Sequence, residues 1–318
     1  MAESVVRRLF AQNGKVTQRP SRLVDNTYVS DDETIPDDFA DSPATAPAPV
    51  RGIVIDGRYL LGPAIASGGM GTVYRARHIR LGYAVALKLS DTVGAHLDAR
   101  VLREAQLSAQ LDDPGIVRVL DSGRHEGSPY IAMELLAGRD LEQLVEDRGP
   151  LPVYGACTIV HDVAQTCARM HAAGIIHRDL KPANVFLPNG GHVKVIDFGL
   201  AKSDSMPSLT RTGARMGTPS FMAPEQVEDS KNANAAADCY ALGGLALYAL
   251  TGQPPHPAPS MVEQLTQALV GDPPPLADLR PDAPSWLVDL VLSALHKDPA
   301  QRPTAAAFAI CLEERARA

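Results

Sequence analysis

The sequence holds only four cysteines in 318 residues, Cys157, Cys167, Cys239 and Cys311, and no Cys-x-x-Cys pair. That wide spacing argues against a disulfide framework or a cysteine metal site, and the expectation is buried free thiols in a reducing cytosol. Excess positive charge is also missing. Lys and Arg number 30 against 37 Asp and Glu, for a net charge of −7, which argues against a general nucleic-acid binder. No apolar run approaches the roughly 20 residues needed to cross a bilayer. The longest, Cys239 to Leu250, reads as a buried helix. The amino terminus, Met1-Ala2-Glu3-Ser4, lacks the charged and apolar regions of a signal peptide. Ala2 stands where myristoylation requires glycine. These absences predict a soluble, cytoplasmic chain with no membrane segment.

What is present divides the chain unevenly. Residues 23–49 carry seven acids and no Lys or Arg, and end in an Ala/Pro run from Ser42 to Pro49. Few apolar residues, like charges and proline together offer nothing to offset ordering entropy, so residues 1–50 read as a disordered acidic tail. Within it, Thr34 lies in an acidic setting with Asp37 three residues on. That pattern resembles the phosphothreonine sites read by forkhead-associated domains; a merely solvating acidic linker fits it as well. From Gly57 the composition becomes globular. Tyr59 to Ile65, the turn Gly68-Gly69-Met70-Gly71, and Thr72 to Arg77 read as strand, glycine turn and strand. Glycines there let a backbone come close to phosphate oxygens, although an ordinary hairpin turn would look similar. Tyr83 to Leu89 reads as the next strand, residues 96–111 as a helix carrying Glu104, and Ile116 to Leu120 and Tyr130 to Glu134 as two more strands. After Asp140 the periods become helical, with helices expected at 140–147, 151–173, 238–250, 261–270, 285–296 and 304–315.

The chemistry concentrates in Val160–Glu225. His177-Arg178-Asp179-Leu180-Lys181-Pro182-Ala183-Asn184 places a carboxylate, a cation and an amide within eight residues. Asp197-Phe198-Gly199 places another carboxylate thirteen residues after Asn184, past the apolar run Val193-Lys194-Val195-Ile196. Phosphoryl transfer needs such a set: a carboxylate to orient and deprotonate the attacking hydroxyl, a cation for the transferred group, and oxygen ligands for Mg²⁺. On these two runs the chain resembles the protein kinase superfamily, and the bacterial serine/threonine kinases in particular.

The resemblance covers roughly residues 57–315 and implies an α+β, two-lobed kinase fold: a β-rich lobe at 57–136 and a mainly helical lobe at 137–315. It implies that Asp179 is the base, that Lys181 steadies the γ-phosphate, and that Asn184 and Asp197 hold Mg²⁺, with Mn²⁺ as an alternative. Lys88, in Val85-Ala86-Leu87-Lys88, would hold the α- and β-phosphates of ATP and pair with Glu104. Ile65, Ala66, Gly68, Gly69, Gly71, Val73, Ala86, Met133, Glu134, Leu136 and Phe186 would surround the nucleotide. Ala66 departs from the family pattern, which has its first loop glycine there. Thr218 would contact Asp179 and Lys181; His177 and Phe198 would stack, held from below by Asp238; Arg302 would pair with Glu225. Arg178 beside the base implies a phosphorylated loop, with Thr210 and Thr212 as its sites and a transient homodimer for phosphorylation in trans. Protein substrates follow from Gly217-Thr218-Pro219 and Ala223-Pro224-Glu225, which a small-molecule phosphotransferase would lack. A catalytically dead scaffold would need a gap at Lys88, Asp179, Asn184 or Asp197, and each is filled.

Overall fold

The computed structural model describes residues 52–68, 71–90, 111–197, 219–229 and 233–316. The tail with Thr34, residues 96–110 of the expected 96–111 helix with Glu104, and Gly69, Phe198, Thr210, Thr212 and Thr218 lie outside the described residues. The chain forms two compact units, one of strands and one mainly helical.

The strand unit is one antiparallel sheet in the order β1-β2-β3-β4-β6-β5. Its strands are β1 (Val54–Ile55), β2 (Tyr59–Gly68), β3 (Gly71–His78), β4 (Ala84–Leu89), β5 (Val119–His125) and β6 (Ser128–Glu134). Alternation along the strands sends Tyr59, Ala76, Val85, Leu87, Tyr130 and Ala132 into one buried cluster with Ile55. The opposite face carries a cross-strand row of Ala66, Val73, Lys88 and Ile131, with Ala86 paired to Met133 two residues along. At the edges, Arg58 reaches Asp121 (2.6 Å) as well as Asp56, and the Tyr59 and Tyr130 hydroxyls donate to those same two carboxylates at 2.8 Å. These bonds tie β1 and β2 to β5 and β6.

Two strand boundaries depart from the sequence expectation. The unit begins with β1, ahead of Gly57. The apolar run Ile116–Leu120 also divides. Ile116 bridges Val195, and Val117 donates to the Val195 carbonyl (3.1 Å), so these two join the helical unit. β5 itself continues through the polar residues Asp121, Ser122 and Arg124, which offer no apolar run to read.

The helical unit packs around two helices, α2 (Val153–Ala172) and α4 (Ala235–Thr251). Ahead of α2 lies the short α1 (Leu141–Arg148), capped by Asp140, whose carboxylate accepts the Gln143 N–H at 2.8 Å. α4 is buried on nearly every face, and two glycines make that possible. A Cβ on Gly243 would lie 2.9 Å from the Ala294 methyl, and one on Gly244 would lie 2.8 Å from Pro255. Asn234 caps the start of α4, and Gly252, at φ 74°, ends it in a left-handed turn. A small sheet joins β7 (Gly138–Asp140), ahead of α1, to β8 (Val185–Pro188) and β9 (Lys194–Val195), which follow α2; α3 (Pro224–Glu228) comes between β9 and α4. Helices α5 (Met261–Val270), α6 (Leu276–Leu279), α7 (Ser285–Ala294) and α8 (Ala305–Ala316) complete the unit. No helix among the described residues is long and apolar enough to cross a membrane. Cys157, Cys167 and Cys239 are buried free thiols, and burial pushes Cys157 and Cys239 up to about 11; Cys311 is only partly buried.

Candidate catalytic site

The loop from α2 to β8 is held by one buried carboxylate. Asp238, in the first turn of α4, accepts the His177 N–H at 2.9 Å and the Arg178 N–H at 2.8 Å, and meets His171 Nε2 at 2.8 Å. Several donors at one site are what a charge with 1% exposure requires. Asp238 therefore grips the loop backbone at His177 and Arg178, while Phe198, the expected stacking partner of His177, lies outside the described residues. The His177 ring is fully buried. Its Nδ1 accepts the Asp179 N–H (3.2 Å), so Nε2 carries the proton toward the Ile196 carbonyl (3.3 Å). Burial holds its pKa below the ordinary value, against the pull of Asp238, and keeps the ring neutral.

Arg178 then adopts φ 65°, a left-handed conformation that is costly for a residue with a Cβ. Its carbonyl accepts from Gln226 Nε2 at 2.9 Å. Among the described residues its buried Nε finds no hydrogen-bond partner. This turn presents Asp179, with Lys181 Nζ 3.7 Å from its carboxylate. Pro182–Asn184 forms a single 3-10 turn that folds Asn184 back on the loop. Asn184 Nδ2 donates to the Asp179 carbonyl (2.8 Å) and carboxylate (3.3 Å), which fixes the amide and turns Oδ1 away from Asp179. The Asn184 carbonyl accepts the Ile196 N–H at 3.0 Å, tying it to the residue before Asp197, itself left-handed at φ 55°. An amide oxygen and a carboxylate are the hard donors that Mg²⁺ takes. Among the described residues no three His, Cys, Asp or Glu side chains converge on a metal position. Two oxygen ligands, with the rest supplied by phosphates and water, match how Mg²⁺ is usually held. Phe186 lies buried in β8, opposite Lys194.

In the strand unit, Ala66, Val73, Ala86, Lys88 and Met133 share one sheet face, and Ile65 and Gly68 lie on the same β2 that leads to the glycine turn. Gly71 is required by a neighbouring strand: at φ 133° a Cβ would lie 2.0 Å from the Leu89 carbonyl oxygen. Glu134 accepts the Arg118 N–H at 2.8 Å through its carboxylate and returns its own N–H to the Arg118 carbonyl at 3.0 Å. Its side chain therefore fixes the end of β6. Leu136 follows, half-buried.

A second polar cluster stands behind α3. Arg302 forms a two-pronged pair with Glu225 (2.6 and 2.8 Å), donates to the Ala236, His296 and Lys297 carbonyls, and stacks 4.9 Å from the Tyr240 ring. His256 Nε2 lies 3.0 Å from the Tyr240 hydroxyl and 3.2 Å from the Met222 carbonyl, and the His256 N–H bonds the Ser220 carbonyl. Gln226, His171 and His256 are absent from the sequence reading. A signal existed for Gln226, a glutamine at the third position of a helix opened by Pro224, where it can cap the preceding N–H. For the two histidines the sequence offers none, since their partners lie 67 and 16 residues away.

The family profile described as protein kinase domain matches residues 59–311 of this chain. Among curated proteins, the chain is 36% identical over 257 residues to the serine/threonine-protein kinase PknL of Mycobacterium tuberculosis, covering 80% of this chain and 64% of that protein. It is 40% identical over 274 residues to a probable serine/threonine-protein kinase of Corynebacterium efficiens, covering 82% of this chain and 41% of that protein. It therefore spans less than two thirds of the length of either relative. Among solved structures, Rad53 residues 1–466 in complex with AMP-PNP superposes with a TM-score of 0.66 at 27% identity, over 79% of this chain and 64% of that one.

Proposed function

The chain belongs to the protein kinase domain family, and on that premise we propose that it transfers the γ-phosphoryl group of ATP to serine or threonine hydroxyls of proteins. The observation that carries this reading is the Asp179, Lys181 and Asn184 cluster, with a carboxylate 3.7 Å from an ammonium and 3.3 Å from an amide nitrogen. Asp179 accepts the proton of the attacking hydroxyl, and Lys181 neutralises the phosphoryl group in flight. Asn184 Oδ1 and Asp197 would hold Mg²⁺, which supplies charge neutralisation on the phosphates. Lys88 would hold the α- and β-phosphates and pair with Glu104, and Ala86, Val73 and Met133, on the same sheet face, would lie against the base. Lys181 two places after the base and the serine/threonine kinase names of the relatives support the hydroxyl specificity. The AMP-PNP bound to Rad53 supports ATP as the donor. The domain would run over residues 57–315.

Arg178 supports control by phosphorylation. A buried guanidinium nitrogen beside the base matches a phosphate on Thr210 or Thr212, which adds about −1.5 to −2 charges and strong acceptors. A phosphorylated Thr34 would similarly recruit a forkhead-associated domain.

One experiment tests the reading. The purified chain, given ATP, Mg²⁺ and an acceptor protein, should place phosphate on Ser and Thr, with Thr210 and Thr212 among its own modified sites by mass spectrometry. Asp179→Asn should lower turnover by about 10²–10⁴-fold at an unchanged melting temperature. An Asn variant as active as the parent removes Asp179 from the reaction.

A further inference from the structure

We propose that Gln226 is a positioning residue, a clamp whose single amide joins the segment ahead of α3 to the backbone that presents Asp179. The inference rests on the kinase reading for its consequence in turnover, and on geometry for the clamp itself.

Gln226 is 7% exposed, and both ends of its amide are used. Oε1 accepts the N–H of Ala223, the residue before α3, at 3.0 Å. Nε2 donates to the Arg178 carbonyl at 2.9 Å, across 48 residues of sequence. The orientation of the amide is thereby fixed, since exchanging O and N would set carbonyl against carbonyl and N–H against N–H. Ala223 has no side-chain oxygen with which to cap its own helix, so Gln226 supplies that bond and gains its orientation from it.

The other end matters more. Arg178 is in the left-handed region, which persists only where surroundings hold it. Its peptide groups are gripped on both sides by buried side chains from two helices. Asp238 of α4 takes the N–H at 2.8 Å, and Gln226 of α3 gives to the carbonyl. That carbonyl belongs to the peptide bond leading into Asp179, so a rotation of the bond would re-aim the carboxylate directly. A shift of about 1 Å at a reacting group can cost on the order of 10² in rate. Ala223, Pro224 and Glu225 precede Gln226 in the run expected to shape the peptide-binding ledge. Gln226 thus transmits the position of that run to the base.

The test compares Gln226→Glu with Gln226→Met in the full chain. A carboxylate in place of the amide still accepts from Ala223 but repels the Arg178 carbonyl; once protonated it donates again. Burial raises a carboxyl pKa, so that recovery falls in an accessible range. The Glu variant should lose about tenfold or more in kcat at pH 8.5, with KM for ATP within about twofold. Its activity relative to the parent should climb as pH is lowered to 6, while the Met variant stays low at every pH. A merely structural glutamine would give no such pH-dependent ratio. Folded variants that both keep the parental kcat, or a Glu-to-parent ratio that is flat with pH, overturn the proposal. Hydrogen exchange over residues 175–184 reads the clamp without turnover, and should quicken in the Met variant. Unchanged protection there refutes the clamp even if the parent proves inactive, whereas an inactive parent with lost protection in the Met variant refutes the kinase reading and leaves the clamp standing.

Discussion

Among the described residues, four with side chains take a left-handed backbone, two in each unit. In the strand unit they are Asp56 and Glu126, each followed by glycine in a tight turn. Glu126-Gly127 is the whole of a two-residue hairpin, with φ 50° and 85°, and matches the twist that antiparallel strands favour. In the helical unit they are Arg178 and Asp197, with no glycine after either and no hairpin around Arg178. Glu126 is dictated by its own two-residue turn, and Asp56 sits in an exposed turn ahead of Gly57, although its carboxylate also accepts from Tyr130. Arg178 is imposed by side chains 48 and 60 positions away. A left-handed residue at a hairpin marks local economy of turning, and one held by distant buried groups marks a place where the chain is set for chemistry.

The contrast can be broken at either pair. The largest effect should come from Asp238→Ala, which leaves the His177 and Arg178 N–H groups and His171 without their acceptor. We expect a loss of about 3–5 kcal/mol in stability and over about 10²-fold in turnover, read by melting and by steady-state kinetics. Normal turnover in this variant would mean that the left-handed turn is locally encoded after all.

The helical unit should also be the acid-sensitive one. Burial lowers the His256 pKa from 6.5 to about 4, with Lys297 adding to the shift and the Met222 carbonyl opposing it. A histidine depressed in the folded state contributes stability that is complete above pH 6.5 and lost as pH falls toward 4. The loss in that window should reach about 3 kcal/mol. The melting temperature of His256→Gln should therefore vary less with pH between 6.5 and 4 than that of the parent. Parallel curves would show that the ring is not the titrating group.

The smallest change belongs to the strand unit. Gly127→Ala meets no neighbouring atom and should cost only the conformational penalty, about 1–2 kcal/mol, with kcat unchanged. A drop in kcat comparable to that of Asp238→Ala would erase the distinction between the two pairs.

Much of the helical unit was legible in advance. Apolar spacing gave α2, α4 and α5 nearly residue for residue, because a helix buried on one or all faces writes its period into the chain. The proposed catalytic run is legible because its residues lie close together in sequence and phosphoryl transfer constrains their types. β5 lies later than the expected Ile116–Leu120 because its half-exposed residues carry little alternation. For Gly71 the turn pattern suits either phosphate approach or an ordinary hairpin, and the close Leu89 carbonyl adds a demand of the sheet that the pattern does not announce.

The sequence by itself determined which groups are available: the Asp179 carboxylate, the Lys181 ammonium, the oxygens of Asn184 and Asp197, and the Arg302 and Glu225 pair that anchors α3. The tertiary structure decided how they are held. Asp238 grips loop backbone, Gln226 spans from α3 to Arg178, and His256 is neutral between Tyr240 and Met222, because buried polar groups must find partners wherever the fold brings them. Those partners lie tens of residues apart, a distance at which spacing along the chain carries no information about contact.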